Sequence, residues 1–78
     1  MKTTKYFDSI RTRPDRSAIK SEWIQFVMDH PERVNIQADG RYRKWAKIEG
    51  NEGRYLRVIL LEDDETVHNA FFDRGFKL

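Results

Sequence analysis

Residues 54–74 read RYLRVILLEDDETVHNAFFDR and hold most of the strong β-formers of the chain. Two runs rich in β-branched and aromatic residues, 54–61 and 66–72, flank the acidic cluster EDDE at 62–65. Short apolar runs bounded in this way read as strands joined by a turn. Alternation assigns their faces. Leu56, Val58 and Leu60 form a core face, and Tyr55, Arg57 and Ile59 point the other way. An even loop pairs Leu60 with Val67 and Leu56 with Phe71. That register places Thr66, His68, Ala70 and Phe72 on the open face and Asn69 on the core face. A buried Asn69 amide would need a backbone partner, expected near the loop at 13–16.

The stretch RVNIQA-DG-RYRKWAKI, residues 33–48, is a second hairpin, because Asp39-Gly40 is a strong turn signal. Its register follows from side-chain parity. Val34 and Ile36 must share a face with Tyr42, Ala46 and Ile48. A two-residue loop would align them with Arg43 and Trp45 instead. A three-residue loop, Ala38-Asp39-Gly40 with Gly40 left-handed, places Ile36 opposite Tyr42 and resolves the conflict. Arg41, Arg43, Trp45 and Lys47 then share the opposite face. Residues 49–53, EGNEG, make the turn into the next strand.

Upstream, residues 5–12 form a weak strand candidate in which Phe7 and Ile10 do not share a parity, so a bulge or short pairing is expected. Pro14 breaks any element through it. Residues 18–30 carry the one helical pattern, with Ile19, Trp23, Phe26, Val27 and His30 on one face. Ser17 or Ser21 caps it, and Pro31 ends it. The expected fold is α+β: one helix packed on a four- to five-stranded antiparallel sheet, in the order β-α-β-β-β-β.

With 78 residues the chain is a single domain. A domain this small buries roughly 60% of its unfolded surface, which leaves little tolerance for unpaired polar groups. There is no cysteine, so disulfides and thiolate metal sites are excluded, and two histidines far apart make a structural metal unexpected. No cofactor motif is present. The N-terminus has no signal-like apolar run, and the longest such run, Val58 to Leu61, is far too short to span a bilayer. A cytoplasmic protein without membrane contact is expected. The net charge of +2 is mild, but its distribution is uneven. RYRKWAK at 41–47 carries four positive charges and no negative one, against the wholly acidic 62–65. Such segregation suits a polyanion on one side and a basic partner on the other.

The open face interleaves cations and rings. Its expected rows are Arg43, Ile59 and His68; Trp45, Arg57 and Ala70; and Lys47, Tyr55 and Phe72. Cations neutralise phosphates and release counterions, and flat side chains stack on unpaired bases. Arg41, Arg43, Trp45, Lys47 and Tyr55 are therefore the candidate nucleic-acid-binding residues, with RNA the expected partner. His68 changes charge near neutral pH and, on the open face near Arg43 and Arg57, could move a proton in phosphodiester cleavage, with Arg43, Arg57 and Arg74 stabilising the phosphorane. In RNA the 2′-hydroxyl supplies the nucleophile, so no metal is needed. Asp73 could orient the tail through an ion pair or supply a carboxylate to the site, and residues 76–78 can tuck back. A face that docks a protein is the alternative.

The segments IQADGRYRKW and RYLRVILLEDDETVHNAFFDRGF resemble a family of short bacterial proteins, often cyanobacterial, over roughly residues 10–77. RYLRVILLED and HNAFFDR are the most specific parts. That family is similar to the BrnT and RelE-like toxins. The resemblance implies a small sheet protein with a basic face that cleaves RNA and is neutralised by an antitoxin. One departure stands out. After Arg74 only Phe76, Lys77 and Leu78 offer side chains, so the C-terminal catalytic tyrosine or histidine of RelE-like chains has no counterpart. Fold analogy alone does not carry the activity across.

Overall fold

The computed structural model describes all 78 residues. Three short helices precede the strands: α1 (Lys5–Ile10), α2 (Pro14–Ser17), α3 (Ser21–Asp29), β1 (Arg33–Ile36), β2 (Tyr42–Ile48), β3 (Arg54–Leu60) and β4 (Val67–Phe72). The strands form one four-stranded antiparallel sheet in the order β1-β2-β3-β4. The α+β class and the meander match the expectation. The order α-α-α-β-β-β-β, with three helices, replaces β-α-β-β-β-β with one.

The difference lies in residues 5–12, which are helical rather than extended. Phe7 and Ile10 clash in strand parity but lie three apart, and so share a helix face, where both are buried. Thr4 is the N-cap, and its Oγ1 accepts the Phe7 N–H at 3.0 Å. The N-terminal segment still touches the sheet, through one parallel bridge between Thr3 and Val67. Val67 N–H donates to the Lys2 carbonyl, and Thr4 N–H donates to that of Val67. Pro14 starts α2 instead of only breaking the chain, in keeping with its fixed φ at a first helical position.

Helix α3 is rotated from the expected face. Ile24 and Val27 are fully buried, Trp23 and Met28 are half-buried, and Phe26 is 45% exposed. Trp23 meets the Phe72 ring edge-on at 5.9 Å. Neither serine caps this helix: Lys20 occupies the N-cap, and the Ser21 hydroxyl accepts a hydrogen bond from Arg11 instead.

The first hairpin has the expected register. Ile36 pairs with Tyr42 and Val34 with Lys44, and Gly40 is left-handed at φ 86°. The left-handed φ at Gly40 favours glycine, and a Cβ there would also push aside the exposed Glu62 side chain, whose Cγ would lie 2.8 Å away. The β2–β3 register is also as expected, with Arg43, Trp45 and Lys47 opposite Ile59, Arg57 and Tyr55. Helices cover β2, β3 and β4 on one face. Leu56, Val58, Leu60, Ala46 and Ile48 form the sheet side of the core.

The β3–β4 pairing starts as expected, Leu60 to Val67, and then slips by one residue. Ile59 pairs with Asn69, Val58 with Ala70, Arg57 with Phe71 and Leu56 with Phe72. His68 is the extra residue of a β-bulge. From that point Asn69 and Phe71 take the open face, while Ala70 and Phe72 take the core face, the reverse of the expected parity. The slip spares the fold a buried amide. Asn69 Oδ1 instead accepts the N–H of the next residue, Ala70, at 2.9 Å, with no role for the loop at 13–16.

Candidate nucleic-acid interface

The helix-free face of the sheet carries five cations in close order: Arg33 from β1, Arg43 and Lys47 from β2, Arg57 from β3, and Arg41 just before β2. Two of them are engaged. Arg57 pairs with Asp73 at 3.5 Å, and Arg41 lies 3.8 Å from Asp39. Arg33, Arg43 and Lys47 have no acidic partner. The Nε atoms of Arg43 and Arg57 are shielded from solvent and donate to nothing. A shielded N–H without an acceptor is costly, and these two stand in neighbouring rows on adjacent strands.

The aromatic part of the face is closed by the chain itself. Phe76 stacks on Trp45 with ring centroids 4.8 Å apart and planes at 14°. Trp45 is only 6% exposed as a result. Its Nε1–H donates to Asp73 Oδ2 at 3.0 Å, and the Arg57 guanidinium lies 5.5 Å from its ring centre. Asp73 also turns the tail, accepting the Gly75 N–H on Oδ1. Its partners are therefore Trp45, Arg57 and the turn, and not Arg74. Trp45 is thus no open stacking surface, which corrects the expectation of a free ring at that position. Tyr55 leans on Phe76 at 5.0 Å, and its hydroxyl donates to Glu32 Oε1 at 3.3 Å. Partial burial first, and the Glu32 carboxylate next, raise the Tyr55 pKa above its ordinary value.

His68 sits apart from these groups. Its Nδ1 is 3.1 Å from Thr4 Oγ1, and its ring stacks on Tyr6 at 4.9 Å. Since Thr4 Oγ1 already accepts the Phe7 N–H, its own proton is free to go to Nδ1, an arrangement that suits the neutral ring. Burial, and then the Arg41 charge, lower the His68 pKa. Two of the arginines expected to act with it are engaged elsewhere: Arg57 is held over Trp45 and Phe71 and against Asp73, and Arg74 follows the far end of β4, while Arg43 lies in the row of Ile59 and Asn69 next to His68. The sheet therefore gathers Arg41, Arg43, Trp45, Lys47 and Tyr55 on one face, but does not gather His68, Arg57 and Arg74 into one constellation.

Arg33, Phe71, Asp73 and Phe76 complete the face and were not singled out by parity. Phe71 was displaced by the bulge. The impropriety of a buried Asn69 was the signal that could have found it. The acidic turn is largely satisfied within the chain. Lys44 reaches Asp64 at 2.9 Å, and Lys2 reaches Glu65 at 3.4 Å. No helix is long and apolar enough to cross a membrane. Comparison with protein-family models, with curated proteins and with solved structures gives no match.

Proposed function

We propose that the chain is an RNA-directed domain of the toxin-like class it resembles, which binds single-stranded RNA on the basic face of its sheet and acts there as a binding module rather than as a ribonuclease. The observation that carries this reading is a face whose Arg33, Arg43 and Lys47 lack carboxylate partners. Phosphate oxygens supply the counter-charge that these side chains lack within the chain, and arginine meets them in a planar fork. Arg41, Arg43 and Lys47 track the phosphates, and Tyr55 and Trp45 meet bases once Phe76 moves aside. Against cleavage stands the separation of His68 from Arg57 and Arg74. A proton-transfer group must lie within hydrogen-bond reach of the reacting atoms, with the charge-stabilising groups beside it.

The test is anisotropy of a labelled single-stranded RNA at two salt concentrations, with the samples also run on a gel. Binding should weaken steeply with salt, and Arg43→Ala should lower the logarithmic salt slope by about one. No binding at low salt, or an Arg43→Ala variant that binds like the parent, would sink the reading. Fragments that disappear with His68→Ala would restore the ribonuclease.

One observation favours a second reading, a protein-interaction module. Val34 and Ile36 face the helix side of the sheet, yet they stay 45% and 60% exposed on edge strand β1. An antitoxin or other partner packing on that face beside α3 would cover them. Val34→Lys would then abolish complex formation without changing RNA affinity.

A further inference from the structure

A second cationic cluster lies where β3 begins and β4 ends. Arg16 from α2, Arg54 at the head of β3 and Arg74 beyond β4 line one cleft of about 360 Å³, together with Asp15, Phe71 and Phe72. The three arginines are far apart in sequence, and the fold alone brings them together. Asp15 pairs with Arg16, and Glu52 pairs with Arg54 at 3.2 Å in a solvent-exposed contact, while Arg74 has no acidic partner. Three guanidinium groups thus stand with two carboxylates, and Arg74 carries the uncompensated charge. The excess positive charge at one cleft favours an anion there.

The surroundings say what kind of anion fits. The Arg16 guanidinium lies 5.4 Å from the centre of the Phe71 ring, which holds it at the cleft wall. A neighbouring cleft of about 310 Å³ shares Arg54, Phe72 and Arg74 and adds Tyr55, Asp73 and Phe76. Arg54 and Arg74 therefore stand between two hollows, each with aromatic walls. A terminal phosphate monoester carries close to two charges at neutral pH and offers three acceptor oxygens, more than an internal diester can present. Arg16 and Arg57 already lie over Phe71, and Trp45 lies flat on Phe76, so a flat group attached to it packs against the Phe72 and Tyr55 side chains and the ring edges that line the two hollows.

We propose that Arg16, Arg54 and Arg74 form a binding site for the terminal phosphate of a nucleotide, with its base against the neighbouring rings. The phosphate can belong to a free nucleoside monophosphate or to the 5′ end of an RNA. The RNA arm rests on the reading of the open face given above; the mononucleotide arm does not.

The experiment has two arms. In the first, AMP, adenosine and inorganic phosphate are titrated into the full chain and followed by amide and arginine Nε resonances. AMP should shift Arg16, Arg54, Phe71 and Arg74, adenosine should not, and phosphate should bind more weakly than AMP. The double variant Arg54→Ala, Arg74→Ala should weaken AMP about tenfold or more, since two charge-assisted contacts are lost. Both side chains are exposed, so the variant should keep its fold, which the same spectra show. In the second arm, a 5′-phosphorylated oligoribonucleotide should bind several-fold tighter than its 5′-hydroxyl twin, and Arg74→Ala should erase that difference. Arg43→Ala should weaken both alike.

AMP that binds no better than adenosine, or that shifts other residues, overturns the site. Phosphate that binds as well as AMP overturns the nucleotide assignment. AMP binding without any oligonucleotide binding supports the site for a free nucleotide and removes the open-face reading. Oligonucleotides that bind equally with and without the 5′-phosphate refute the RNA arm while leaving the face intact. An acidic peptide that displaces AMP at equal concentration replaces the nucleotide with a protein ligand.

Discussion

The Phe76 ring lies flat on the Trp45 indole, 4.8 Å away between centroids, while Asp73 Oδ2 accepts the indole N–H at 3.0 Å. The tail thereby occupies the place on the sheet where an unpaired base would stack. Arg33 lies 5.8 Å from the centre of the same phenyl ring, so a cation flanks it as well.

Replacing Phe76 with alanine uncovers the indole. Stacked aromatic pairs contribute about 0.5–1.5 kcal/mol, so thermal stability should fall by about 1 kcal/mol. In a Trp23→Phe background the Trp45 emission should move to longer wavelength. With the competing ring gone, RNA should bind about three- to tenfold tighter. Unchanged emission would show that Phe76 does not cover Trp45 in solution.

Helix α3 offers a paired test of its orientation. Ile24 is fully buried, and Phe26 is largely exposed. Ile24→Ala should cost about 2–5 kcal/mol of unfolding free energy, as buried aliphatic truncations do. Phe26→Ala should cost under about 1 kcal/mol, in line with surface changes. Denaturant midpoints decide it, and equal costs would mean that the helix is turned the other way.

Asp63 governs the acid side of stability. The Thr66 hydroxyl, the Thr66 N–H and the Glu65 N–H all donate to its carboxylate, and they hold its pKa down to about 2 from an ordinary 3.8. The unfolded chain takes up the proton first as pH falls. The contribution is therefore complete above 3.8 and is lost on descent to about 2. Acid unfolding of Asp63→Asn should be flatter than that of the parent across this window, and superimposable profiles would contradict the contact.

His68 acts in the same sense nearer neutrality. Its pKa is lowered in the fold, so its contribution is complete above the ordinary 6.5 and declines as pH falls below it. An NMR titration in a His30→Gln background should give a midpoint under 6.5. Thr4→Val removes both the α1 cap and the Nδ1 partner, and should cost about 1 kcal/mol.

Much of the sheet was legible in the chain. Asp39-Gly40 and the parity of Val34, Ile36 and Tyr42 determined a three-residue loop, because any other register would turn an apolar set toward the cations. The same parity placed Arg43, Trp45 and Lys47 beside Ile59, Arg57 and Tyr55. Local signals also marked the turns and the core residues Leu56, Val58 and Leu60. Less was legible in the site. The face was named correctly for Arg41, Arg43, Trp45, Lys47 and Tyr55, but the burial of Trp45 was not foreseen.

What the sequence by itself determined, then, is the periodic part: the α+β class, the meander and the side of the sheet on which each residue of β2 and β3 lies. Those follow from interactions between near neighbours and from the two-residue repeat of a strand. The tertiary structure alone decided the rest. Phe7 and Ile10 became a helix because the core needed both on one side and Thr4 could cap the turn. The bulge at His68 formed because Val67, Ala70 and Phe72 could all reach the core only if one residue was skipped, and because Asn69 avoided burial. Phe76 closed over Trp45, and Arg16, Arg54 and Arg74 converged, through contacts between segments tens of residues apart. No local pattern encodes such contacts, since their free energy exists only once the packed sheet brings the segments together.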